Sequence, residues 1–107
     1  MDVDTGEITT ATRSVQINGV NVKQGEIITL YNGSLIKSCS SLEEACLSLL
    51  EYGDTENKER ITLFYGEGMS EETVNDIVGA IEKTYPSHEI EIHDGGQPHY
   101  QFIIAIE

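Results

Sequence analysis

Residues 93–100 read His93-Asp94-Gly95-Gly96-Gln97-Pro98-His99-Tyr100, and this turn, with the apolar run behind it, limits what the chain can fold into. Two adjacent glycines reach backbone angles that a Cβ forbids, and Pro98 fixes φ and withholds a donor, so the strand before it must stop here. The run Tyr100-Gln101-Phe102-Ile103-Ile104-Ala105-Ile106 is β-branched and aromatic, and apolar on both alternating faces. That pattern suits a strand in the interior of a sheet. The turn is therefore expected at one sheet end, shaped by Gly95, Gly96 and Pro98. His93, Gln97, His99 and Tyr100 are the side chains it is expected to display to a partner.

Upstream of the turn, residues 1–7 are polar and carry no core pattern, so they read as a linker or cut end, with a single domain over residues 8–107. Residues 8–17 read as a strand, and Asn18-Gly19 is a two-residue hairpin signal because both turn positions need positive φ. A short return over 20–22 follows, then a strand at 26–31, Asn32-Gly33 as a second hairpin turn, and a strand at 34–38. The period changes at Ser41, which with Glu44 makes a capping box. Leu42, Ala45, Cys46, Leu49 and Leu50 form one helical stripe, and Gly53 stands where a helix commonly ends in the left-handed conformation. Residues 60–65 form a strand. A second helix starts at Ser70 with Val74, Ile77, Val78 and Ile81 as its stripe, and Pro86 stops it. Residues 89–93 alternate, with Ile90 and Ile92 inward.

The resulting order, β-β-β-α-β-α-β-β, predicts an α+β two-layer sandwich with a mixed sheet. It contains one parallel βαβ crossover over residues 60–93 and antiparallel hairpins at both ends. Two singly striped helices can cover one face only. Phe64, Ile28 or Leu30, and Ile103 with Ala105 need cover on the other, from outside the chain, as in a homodimer, or from the N-terminal hairpin.

Six basic against nineteen acidic side chains give a formal charge of −13 over 107 residues, which repels nucleic-acid phosphates and anionic lipid. Nucleic acid is excluded as a partner on that ground, and no apolar run is long enough to span a bilayer. Cys39 and Cys46 lack C-x-x-C spacing and read as reduced thiols of a cytoplasmic protein.

Candidate chemistry is sparse. Gly66-Glu67-Gly68-Met69-Ser70 joins strand to helix, where amides could hold a phosphate, yet Glu67, Glu71 and Glu72 would repel it. His93, Asp94 and His99 with Cys39 could be drawn together as metal ligands, but nothing in their spacing requires it, and no metal is expected. No serine shows a nucleophile signature. The residues alone therefore point to no catalytic site.

A family resemblance adds what composition cannot. Val3-Asp4-Thr5-Gly6-Glu7-Ile8-Thr9, Ile17-Asn18-Gly19-Val20, Lys23-Gln24-Gly25-Glu26, Tyr31-Asn32-Gly33, Tyr65-Gly66-Glu67-Gly68 and Glu89-Ile90-Glu91-Ile92-His93-Asp94-Gly95-Gly96-Gln97-Pro98 resemble the C-terminal part of the A-type chain of bacterial fatty-acid kinase. This is a dihydroxyacetone-kinase-like group whose last part is similar to a subdomain of DegV-type fatty-acid-binding proteins. Ser14, His99 and Gln101 depart from the family pattern. The resemblance implies a fragment of a larger chain, not catalytic alone. ATP and magnesium would belong to a missing N-terminal DhaL-like domain, and no cofactor to these residues. The expected partners are a DegV-like carrier presenting the fatty acid, and neighbouring domains of the same kinase chain. The alternative is a small-ligand or acyl-binding domain that works without a protein carrier.

Overall fold

A computed structural model of the chain describes residues 3–17, 19–98 and 100–107, the side chain of Ile17 excepted. Among the described residues, eight strands and two α-helices follow in the order β1 Asp4–Thr10, β2 Val15–Ile17, β3 Val20–Val22, β4 Ile27–Tyr31, β5 Ser34–Cys39, α1 Leu42–Tyr52, β6 Arg60–Tyr65, α2 Glu71–Thr84, β7 Glu89–Asp94 and β8 Tyr100–Ile106. Six strands form one sheet in the order β5-β4-β1-β8-β6-β7, and β2 and β3 form a separate hairpin. Only β6 and β7 are parallel, joined through α2. The α+β class, the mixed sheet and the interior position of the last strand agree with the sequence reading.

Local chemistry sets the elements. Asn32 and Gly33 take φ of 49° and 87°, the paired left-handed turn that returns β4 into β5. The matching expectation at Asn18 lies outside the described residues. Ser41 Oγ accepts the Glu44 amide at 3.2 Å, while the Glu44 carboxylate accepts the Ser40 hydroxyl at 3.1 Å, so the box closes one residue early. Ser70 caps α2 by accepting the Thr73 amide. Ala45, Cys46, Leu49 and Leu50 of α1 and Val74, Ile77, Val78 and Ile81 of α2 are buried with Ile8, Ile61, Leu63, Phe102, Ile104 and Ile106 in one core. Burial holds both thiols protonated, pushing Cys46 up to about 12.

Three expectations need correction. Residues 4–7 are not linker: β1 begins at Asp4 and pairs with β4 on one side and β8 on the other. Its polar look has a physical reason. A Cβ on Gly6 would lie 2.2 Å from Leu49 Cδ2, so the glycine is where α1 rests on the sheet. Asp4 is clasped by the Tyr31 hydroxyl, by Asn32 Nδ2 at 3.3 Å and by Lys58 at 3.6 Å, which hold its carboxyl below the usual range. The strand ends at Thr10 rather than running to residue 17, because the chain bends through 12–13 before the small hairpin.

Gly53, secondly, is not left-handed (φ −79°); Asp54 takes that conformation, at φ 54°. Gly53 is glycine because a Cβ there would meet the Tyr31 ring at 2.8 Å and Ile106 at 3.1 Å. Thirdly, Ile92 lies beside Leu63 on the core side as expected but is 40% exposed, since β7 is an edge strand with a neighbour on one side only.

The sheet face away from the helices is set by register. Thr62 and Phe64 of β6 lie beside Ala105 and Ile103 of β8, then Thr5 and Glu7 of β1, then Leu30 of β4, with His93 beside Phe64 at the edge. The hairpin reaches one end of this face only, where Val15 and Val22 line a cleft with Ile28 and Leu35. Phe64, Ile103, Ala105 and Leu30 remain partly exposed. Among the described residues, no helix is long and apolar enough to cross a membrane.

Candidate functional site

Because β6 and β7 are parallel and β8 runs back between β6 and β1, three strand ends meet on one rim of the sheet. The connections that leave it, residues 66–70 toward α2 and 95–98 toward β8, are hydrogen-bonded into one body. The Gly66 amide donates to Gln101 O at 2.9 Å and the Glu67 amide to Gln97 O at 2.9 Å. From the other side, the amides of Gly95 and Gly96 both donate to Tyr65 O, at 3.0 and 3.2 Å. Gly66 sits so tightly beneath the second loop that a Cβ would lie 2.0 Å from Tyr100 O.

This wiring decides two questions of chemistry. An anion site at a strand-to-helix turn needs free amides. Those of Gly66, Glu67 and Met69 already serve Gln101, Gln97 and Gly66 carbonyls. A shared metal among His93, Asp94 and Cys39 fails on topology, because β5 and β7 are the opposite edges of the sheet. Among the described residues no cluster of three metal-ligating groups occurs.

Each residue singled out in the sequence has a definite place, apart from His99, which lies outside the described residues. Gly96 takes φ 62°, in the left-handed region, and a Cβ there would lie 4.0 Å from Asp94 Oδ1, an ordinary contact. Gly95 is instead packed: a Cβ would lie 2.0 Å from Gln97 Oε1. Pro98 is exposed. His93 stacks on the Phe64 ring, centroids 5.4 Å apart at 24°, on the face without helices. Tyr100 is partly buried, and its carbonyl closes the loop body.

Gln97 corrects the expectation of an outward side chain. Its Nε2 donates to Phe64 O at 2.9 Å and to Tyr100 O at 3.4 Å, so it is a strut between the loops. Gln97→Ala should therefore lower stability by about 1–2 kcal/mol, because the Phe64 carbonyl loses its side-chain donor in a partly closed site. A shift of the urea midpoint at unchanged slope checks this; an unmoved midpoint would show that water replaces the strut.

Sequence reading places Phe64 on the face the helices leave uncovered, but misses Gly66 as a contact. The signal for Phe64 is its place on the alternation opposite Ile61 and Leu63, which a single helix layer cannot also cover.

Comparison with known proteins adds to this geometry. The family model that describes the C-terminal part of A-like fatty acid kinase subunits matches residues 1–107. An uncharacterized protein of Staphylococcus epidermidis is 35% identical over 105 residues, covering 98% of this chain and 19% of that protein. Protein YloV of Bacillus subtilis is 31% identical over 105 residues, with the same coverage of 98% and 19%. An uncharacterized protein of Staphylococcus aureus is 30% identical over 106 residues, covering 99% of this chain and 19% of its own length. The chain thus spans 19% of the length of the curated relatives it matches.

Proposed function

This chain belongs to the C-terminal family of A-like fatty acid kinase subunits, and from that premise we propose that it is the docking domain of such a kinase. In this reading it holds a DegV-like fatty-acid-binding protein. Another part of the kinase chain, carrying ATP and magnesium, phosphorylates the acyl carboxylate that the carrier presents.

The observation that carries the reading is the helix-free sheet face. Phe64, Ile103 and Ala105 stand partly exposed on strands that are paired on both sides, so they sit on a stiff base. The locked loops fix one end of that face, and the Phe64–His93 stack gives it a flat aromatic anchor. Rigid aromatic and aliphatic groups with a polar rim are what protein interfaces use. Phosphoryl transfer needs amides or cations around phosphate, and the turn from β6 into α2 spends the amides of Gly66 and Glu67 on β8 and the second loop. Binding of a free fatty acid finds little support: clefts of about 900 and 830 Å³ on the helix side are lined by Glu51, Asp54 and Glu56, and by Glu43 and Asp76, which repel a carboxylate.

Titration calorimetry of this chain against an oleate-loaded DegV-like carrier tests the proposal. Saturable binding is expected, weakened about tenfold or more by His93→Glu or Ile103→Thr with the fold retained by circular dichroism. No binding by the unaltered chain, or full affinity in both variants, would overturn it. Oleate bound without any carrier would favour the acyl-binding alternative.

A further inference from the structure

The helix layer carries a second surface, on the side of the sheet opposite the proposed docking face. Between α1 and α2 runs an open groove made of the two clefts just named, which share Leu47 and Thr84. One wall is Glu43, Leu47 and Glu51 of α1. At i, i+4 and i+8, these put a carboxylate one turn before and one turn after a partly exposed leucine. The other wall is Thr73, Ala80 and Thr84 of α2, small residues that keep the groove wide, with Ile77 behind them.

Gly79 stands in this second wall, in the middle of a fourteen-residue helix. A glycine inside a helix is destabilising relative to alanine. Nothing among the described residues requires it, because a Cβ added there meets no atom within 4 Å. What glycine offers at an open position is room for another backbone to come close. The charge is one-sided as well: among the described residues, Lys83 is the only lysine or arginine lining the groove, against carboxylates on both walls and at the α1 end.

We propose that this groove seats a helix from a partner protein, basic and amphipathic, in which an apolar residue is flanked by lysine or arginine at i−4 and i+4. The apolar residue rests on Leu47 and Ala80, the cations meet Glu43 and Glu51, and the helix backbone crosses closest to α2 at Gly79. The proposal stands apart from the carrier reading and survives its failure, since the two surfaces are on opposite sides of the sheet.

The test is a titration of the nitrogen-15-labelled chain with a synthetic fifteen-residue alanine-rich peptide bearing Lys-x3-Leu-x3-Lys on one face. A second peptide of identical composition scatters these residues around the helix. Amide shifts are expected at Leu47, Gly79, Ala80 and Thr84. Affinity should fall about tenfold in the Glu43→Lys, Glu51→Lys double variant and again in Gly79→Leu, which fills the groove. Gly79→Ala should raise the melting temperature of the free chain. Equal binding of the scattered peptide would reveal only the attraction of any polycation to an acidic chain, and would overturn the proposal. So would shifts that map elsewhere, or affinities that ignore both variants.

Discussion

Gly6→Val is expected to cost about 3 kcal/mol of stability or more, although valine is the better strand residue. Strand propensity alone, worth up to about 1 kcal/mol, favours the change. The space does not. A Cβ at residue 6 would sit 2.2 Å from Leu49 Cδ2 and 2.8 Å from Cδ1 and Cγ, and Leu49 has no exposed surface into which to turn. Overpacking a filled core costs about 1–3 kcal/mol when side chains can shift. Here the obstacle is a buried residue of α1, so the helix must lift from β1 and loosen Ala45, Cys46 and Leu50 with it. Urea unfolding of three variants decides the matter. Leu49→Ala alone should lose about 2–5 kcal/mol through its cavity. The Gly6→Val, Leu49→Ala double variant should lose less than the sum, because the new side chain occupies the space the old one leaves. Simple additivity would mean that the helix does not rest on Gly6.

Gly66→Ala should cost about 2–4 kcal/mol, the effect of one methyl group. In contrast to Gly6, the atoms in the way are main-chain ones: Tyr100 O at 2.0 Å, Gln97 O at 3.0 Å and Tyr100 C at 3.1 Å. None can rotate aside, so the second loop must move off the first, breaking the bonds from the Gly66 and Glu67 amides. Hydrogen exchange should quicken at Gly66, Glu67, Gly95 and Gly96 while the α1 amides stay protected. Exchange confined to residues 66 and 67 would show that the loops are not one body.

The sequence was most legible where structure is local. The stripes of α1 and α2, their serine caps and the Asn32-Gly33 turn depend on residues within a few positions of one another, and all are present in the fold. It was least legible where a residue answers to a distant one. Gly6 is glycine because of Leu49, Gly53 because of Tyr31 and Ile106, and Gly66 because of Tyr100. No periodicity joins those pairs, so the first four residues of β1 read as linker and Gly53 as an ordinary helix stop. The candidate site divides in the same way. The φ of Gly96 is a local requirement that the Gly95-Gly96 pair announces. Gln97 turns inward only because Phe64 O, thirty-three residues earlier in the chain, lies open to it.

The strand order also governs when the sheet can become whole. β8 lies between β1 and β6, and in the six-stranded sheet it alone joins β5-β4-β1 to β6-β7. A nascent chain can assemble each half as it emerges, but the seven residues of β8 are made after the other five strands and insert in the middle. Until they leave the ribosome, β1 and β6 are both unpaired edges flanked by apolar residues, the kind of surface that recruits other strands. Folding during synthesis therefore waits for β8, and quality control meets this domain as two open half-sheets before it meets it as one.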